Sequence, residues 1–350
     1  MVYPGRVIPD LYTIRDEGVP IDEIVAATEK VLSHSTSEKT ESIQYPIQSA
    51  EWRSWSNPEF YLSKKGLRLD EVPQELRHDV HDVLRKTLSP EGYKKAQGAM
   101  RTNHFLGELV EGQAVMNEDS YNFCVFGVPS KTEPWGWSFY GHHLCLNVFL
   151  LGQQIIVAPF FTGAEPNMID DGPYKGTRIL EIEERLGLEV MQSLSEIDQK
   201  KAQIYELMHD PAMPEDRWNK DDQRHLCGAY RDNRVVPYEG VLVSTFTTEQ
   251  QEKVLAIAEQ YLLYLPAKSR QLKLEDVRNW FKETYFCWIG GFTDDDPFYF
   301  RIQSPVIVIE FDHHSGVFLT NEEPAKFHIH TILRYPNAGD YGYALRKPEK

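Results

Sequence analysis

Two hydrophobic periods alternate along this chain, one near 3.6 residues and one of two, and their order sets the expected fold. Near the N-terminus "IDEIVAATEKVLSHS" has helical spacing and runs into a polar stretch of Ser, Thr, Glu and Lys that reads as a loop or linker. From Pro73 to about Val110 the pattern is helical again. In "VPQELRHDVHDVLRKTL" the residues Leu76, Val80, Val83 and Leu84 fall along one face, and Ser89 and Pro90 then supply an N-cap and a first helical residue. Between Tyr121 and Phe161 the period shortens. "YNFCVFGVP", "WGWSFYGHHLCLNVFLL" and "QQIIVAPFF" are rich in aromatic and β-branched residues, with Gly152 placed as a hairpin turn.

Helical spacing returns from Thr177 to roughly His209, and again after a capping pattern at Thr248 and Gln251. A third stretch, "LEDVRNWFKETYFCWIGG", is expected to be helical up to Gly290 and Gly291. The chain then closes on "FYFRIQ", "VIVIEFDHH" and "FHIHTILRY", which are strand-like. The expectation is an α+β fold. Its mostly antiparallel sheet is built from two β blocks, about 121–161 and 298–335, packed with helices from about 73–110 and 177–290. Residues 1–50 are expected to form an N-terminal helix and polar linker, and residues 51–345 a single α+β domain.

Charge narrows the partners. The 350 residues carry a formal net charge of −16, and a nucleic acid or an anionic membrane would demand a basic face. No run of about 18 apolar residues is present, so no membrane span is expected. The N-terminus lacks the basic start and apolar run of a secretory signal, and Cys124, Cys145, Cys227 and Cys287 form no C-x-x-C pair. A cytoplasmic protein with a small-molecule substrate is expected.

Six of the twelve histidines lie in the two β blocks: His142, His143, His313, His314, His328 and His330. Strand alternation sorts them. In "GHHLCLN" one face carries His143, Cys145 and Asn147, and in "FHIHTILR" one face carries His328, His330, Ile332 and Arg334. In "VIVIEFD" Glu310 and Asp312 share a face. Two histidines one residue apart place their Cα atoms roughly 7 Å apart on the same side of a strand, where both imidazoles can grip one ion. A third histidine and a carboxylate from neighbouring strands would complete a set suited to Zn, Fe, Mn or Cu. A polar, half-solvated sheet face with hydrogen-bonded histidines remains the alternative. Arg334 could clamp a substrate carboxylate or make a structural ion pair with Asp312 or Asp340. Trp135 and Trp137 could wall a substrate pocket or sit in the core, and Asn147 could add a polar contact there. No phosphate loop, G-x-S-x-G elbow, dinucleotide fingerprint or H-E-x-x-H helix occurs.

The stretches "KGLRLDEVP", "LSPEGYKKAQGAMR", "YNFCVFGVPSKTEPWGWSFYGHHLCLN", "PFFTGAEP", "FYFRIQSPVIVIEFD" and "HIHTILRYPNAGDYG" together resemble the DUF3500 family across roughly residues 55–345. The resemblance takes in Trp135, Gly136 and Trp137, then Gly141 to Asn147, and Gly163, Ala164 and Pro166. Further on it takes in Glu310, Asp312, His328 to His330, Arg334 and Asp340 to Gly342. His313 and His314 fall where Asn or Thr is expected in relatives, and Glu165 where Asn is expected. The resemblance implies the family and no activity.

Three functional readings follow. The first is a divalent-metal enzyme acting on a small organic molecule, with His143, His328 and His330 as ligands and Glu310 as a fourth ligand or general base. Zinc would acidify a bound water for hydrolase or lyase chemistry, whereas iron, manganese or copper would serve an oxygenase or other oxidoreductase. The second is a metal-free acid–base isomerase, dehydratase or decarboxylase, in which Glu310 or Asp312 pairs with a histidine and Arg334 holds an anion. The third is a non-catalytic ligand-binding protein.

Overall fold

A computed structural model of the chain describes residues 8–35, 43–59, 65–232, 234–319 and 321–346. The central part of the expected polar linker, 36–42, lies outside the described residues. Twelve strands and seven α-helices alternate in blocks among the described residues, and of nine described strand pairings seven are antiparallel and two, at sheet margins, parallel, so the fold is α+β. Two compact units divide the chain.

One unit contains Asp10–Phe160, Leu263–Leu272 and the C-terminal residues from Ala338. Helices α1 (Ile21–His34) and α2 (Gln74–Thr87) pack against each other, and α3 spans Pro90–Leu109. Ser89 caps α3 by accepting a hydrogen bond from the Gly92 N–H, with Pro90 at the first turn, as the sequence predicts. The strands are β1 (Gln44–Tyr45), β2 (Leu67–Arg68), β3 (Tyr121–Phe126), β4 (Trp135–Gly141), β5 (Leu144–Leu151) and the first part of β6 (Gln154–Ala164). Between β5 and β6 lies Gly152, whose φ of 56° is the left-handed conformation a tight hairpin requires. Register places Trp137 between Val125 and Val148, and Ser138 between Cys124 and Asn147. The Trp137 face is therefore apolar and the Asn147 face polar.

The other unit contains Phe161–Leu262 and Lys273–Asn337. Its strands are β7 (Gln203–Tyr205), β8 (Val241–Leu242), β9 (Tyr285–Gly290), β10 (Phe298–Gln303), β11 (Val308–His313) and β12 (Ile329–Arg334). The antiparallel ladder runs β12-β11-β10-β9, with β7 and β8 both on β9. Helices α4 (Glu181–Ser193), α5 (Glu196–Ala202) and α6 (Thr248–Tyr261) belong here, and α7 covers Ala267–Asn279. Two expected helical stretches are corrected: residues 203–205 and 285–290 are strands. "YFCWIG" is aromatic and β-branched, and its side chains gain more by pairing with β10 than by one more helical turn. The cap of α6 falls one residue earlier than expected, as a capping box between Thr247 and Gln250.

The two faces of this sheet differ in kind. One carries Phe286, Trp288, Phe298, Phe300, Phe311 and His313, with Phe300 and Phe311 stacked at 5.2 Å and 2°. Helix α4 reaches that face through Gly187, where an added Cβ would lie 2.2 Å from the Phe300 ring. Gly187→Ala is therefore expected to cost about 1–3 kcal/mol through overpacking. Urea unfolding reads it, and an unchanged midpoint would mean that the Phe300 ring can swing aside.

Candidate metal centre

On the opposite face of that ladder the cross-strand pairs are Tyr299 with Asp312, Arg301 with Glu310, and Asp312 with His330. Pairing continues past the strand ends, where the His314 N–H donates to the His328 carbonyl at 2.8 Å. His314, His328, His330 and Asp312 are thereby brought to one sheet face. His328 and His330 are both buried, and their Nε2 atoms stand 3.0 Å apart. The His314 ring stacks on His330 at 4.1 Å between centroids and lies 5.0 Å from His328. Phe161 meets His330 edge-on at 5.0 Å. Burial pushes the His314 imidazole down to about 4, so it is neutral near pH 7.

Two further residues complete the surroundings, and neither is legible from periodicity. Glu165, just beyond β6, puts Oε1 3.7 Å from His328 Nδ1 and is itself 1% exposed. Burial raises its carboxyl to about 7, against hydrogen bonds from the Leu319 and Phe318 N–H groups that favour the anion. His225 lies with its ring centroid 6.3 Å from both His330 and Tyr299, and neither of its buried nitrogens has a hydrogen-bond partner. Orphaned polar atoms in a dry interior cost about 1–3 kcal/mol each, so such a group calls for a reason.

His225 arrives on a segment, roughly 206–240, that covers the polar sheet face and is tied to it by charges. Arg224 donates from Nε to Asp312 Oδ1 at 2.6 Å and from Nη2 to the His313 carbonyl at 2.7 Å. Glu310 accepts from the Leu226 and Cys227 N–H groups, both at 2.8 Å, and from the Tyr299 hydroxyl at 2.6 Å. Burial opposes its charge, but His225, Arg301 and these donors prevail and hold the carboxyl below its usual range. Arg334 donates to the Cys227 and Gly228 carbonyls and, at 2.6 Å, to Asp232. Alternation groups Glu310 with Asp312 and Arg334 with His328 and His330, the β11–β12 register brings these two groups onto one face, and the contacts named here bind the covering segment. Arg334 meets Asp232, and not the Asp312 or Asp340 expected as its ion-pair partner.

His143 is placed differently from the expectation. It sits in the turn between β4 and β5, at φ 60°, and not on the strand with Cys145 and Asn147. Its ring stacks on His142 at 3.9 Å, and its N–H donates to Asn57 Oδ1 at 3.1 Å. His143 belongs to the first unit described, whereas His328 and His330 belong to the second. Trp135 and Trp137 lie on the apolar sheet face, Trp135 donating from Nε1 to the Ser130 carbonyl at 2.8 Å. Asn147 lies on the opposite face and donates to the Pro159 carbonyl at 3.0 Å, so it does not share a wall with the two indoles.

The family pattern described as proteins of unknown function (DUF3500) matches residues 17–343. The chain belongs to the DUF3500 family, and the match takes in α1 as well as the region the quoted motifs span. No curated protein and no solved structure matches it. No described helix is long and apolar enough to cross a membrane.

Two outcomes are expected. Arg224→Met leaves the Asp312 carboxylate buried without its ion pair and should cost about 3–5 kcal/mol in chemical denaturation; a loss under 1 kcal/mol would show that the segment is held by other contacts. His142, whose ring bonds Asn103 at 2.8 Å, is pushed down to about 3 by burial. Between that value and the unfolded value of about 6.5 only the unfolded chain takes the proton, so stability is full above that window and falls as pH drops through it. Unfolding free energy measured from pH 7 to 4 should lose about 1.4 kcal/mol per unit from this group, and His142→Gln should flatten the slope by one proton. An identical slope in the variant would refute the assignment.

Proposed function

We propose that the chain is a divalent-metal-dependent enzyme acting on a small organic molecule, with His328 and His330 as ligands. The observation that carries this reading is the 3.0 Å separation of two buried Nε2 atoms. Two nitrogens about 2.1 Å from one ion and about 90–110° apart at it lie about 3.0–3.4 Å from each other. Imidazole nitrogens favour zinc, iron, manganese or copper over calcium and magnesium, which prefer oxygen. Such an ion supplies Lewis acidity, acidifying water or polarising a carbonyl.

The first choice of reaction is hydrolytic or lyase chemistry, because it asks no redox change of the metal. Oxygenase or other oxidoreductase chemistry on the same residues is the alternative. His225 and Glu165 stand beside the pair as candidate proton carriers. Because Glu165 titrates near neutrality, a metal-free acid–base reaction is the second reading, and it would survive a chelator.

Elemental analysis of purified protein, wild type beside His328→Ala/His330→Ala, tests the first reading. Near-UV circular dichroism serves as the folding control. The expected result is about one transition-metal ion per chain, lost in the folded variant, with the element choosing between the zinc and the redox branch. Wild-type protein that holds no metal and takes up neither Zn²⁺, Mn²⁺ nor anaerobic Fe²⁺ overturns it.

A further inference from the structure

His328 presents two different nitrogens to two different neighbours. Its Nε2 faces His330 Nε2 at 3.0 Å, and a carboxylate oxygen of Glu165 stands 3.7 Å from its Nδ1. A neutral imidazole carries one proton, and only the nitrogen without it has a lone pair to offer a cation. For Nε2 to be the donating atom the proton must sit on Nδ1, and a carboxylate on that side favours this tautomer. Metal-binding histidines are commonly oriented in this way by an acidic or carbonyl partner on the far nitrogen.

We propose that Glu165 is the positioning residue of the site, holding the His328 proton on Nδ1 so that Nε2 is free to bind a metal ion; this rests on the metal reading above. The placement of Glu165 is constrained from several sides. It follows β6 directly, and Oε1 accepts a hydrogen bond from the Leu319 N–H at 3.3 Å. Gly316 passes so close that an added Cβ would lie 3.0 Å from the same oxygen. The carboxylate is therefore fixed by the backbone of the 316–319 loop and aimed at His328, the arrangement of a support and not of a mobile surface acid. His330 differs in its surroundings, set between the His314 ring and the Phe161 edge. Glu165 is thus an acidic support of His328.

The test combines a readout that needs no metal with one that does. Ring ¹⁵N spectra of the metal-free protein report the His328 tautomer, with His328→Ala providing the assignment. Competition titration with Zn²⁺ reports affinity. The wild type should show the Nδ1–H form, and Glu165→Gln should shift His328 toward Nε2–H and weaken Zn²⁺ about 10–100-fold at unchanged stoichiometry. Glu165→Asp, which keeps the charge on a shorter arm, should fall between the two, and it replaces the Gln variant should that one fail to fold. An unchanged tautomer with unchanged affinity overturns the proposal. A tautomer shift without Zn²⁺ uptake by either protein overturns the metal reading while establishing the hold of Glu165 on His328. Loss of affinity without a tautomer shift overturns the positioning role and leaves the metal reading standing.

Discussion

A sheet face studded with charges must be buried in this fold, and the arrangement around it follows from that constraint. Glu310, Asp312, Arg301 and Arg334 are each at most 1% exposed. Several kcal/mol of desolvation per ion has to be offset by partners of good geometry, and water is not available to supply them. The segment near 206–240 does so with Arg224, Asp232, Glu239 and its own backbone. Its loop conformation is thus dictated by where the strands put their charges: two successive N–H groups must meet Glu310, and two carbonyls must meet Arg334.

The same ties account for His225. With Arg224 drawn to Asp312 and Leu226 to Glu310, the residue between them has little freedom, and its imidazole is set down near His330 and Tyr299. The charged residues that resemble catalytic groups in the sequence therefore act, in the contacts described, as the frame of the covering segment. The groups they bring near the histidine pair, together with Glu165 from the end of β6, are the ones with unusual environments. A rigid ladder holding His328 and His330 and a clamped segment holding His225 is the division of labour expected where geometry must be kept to a few tenths of an ångström.

The opposite sheet face has the contrary character. Its stacked aromatics and the glycine contact of α4 make a close-packed layer, and His313 sits in it between Phe298 and Phe311, with Nε2 3.5 Å from Glu184. Adjacent histidines in the sequence are thus separated in role by one residue of alternation, His313 into the core and His314 onto the polar face.

Much of this was legible in the residues themselves, because a strand's period of two is a local property. Alternation alone puts Glu310 with Asp312 and His328 with His330 and Arg334, whereas the grouping of Asn147 with Trp135 and Trp137 fails because the β4–β5 register sets them on opposite faces. Alternation also places His314, two residues beyond Asp312, on the same face. Helix starts were legible where a capping side chain and a proline coincide, as at Ser89 and Pro90. Residues 285–290 are strand where helix is expected, because aromatic and aliphatic residues suit either a buried helix or a strand, and the partner strand β10 decides. Above all, no period marks Glu165, Arg224 or His225: they lie in irregular chain, positioned by pairing with charges more than eighty residues away or by a loop near residue 318. Local spacing fixed which side chains share a face, whereas what meets that face is a matter of long-range electrostatic satisfaction, which only the tertiary structure decides.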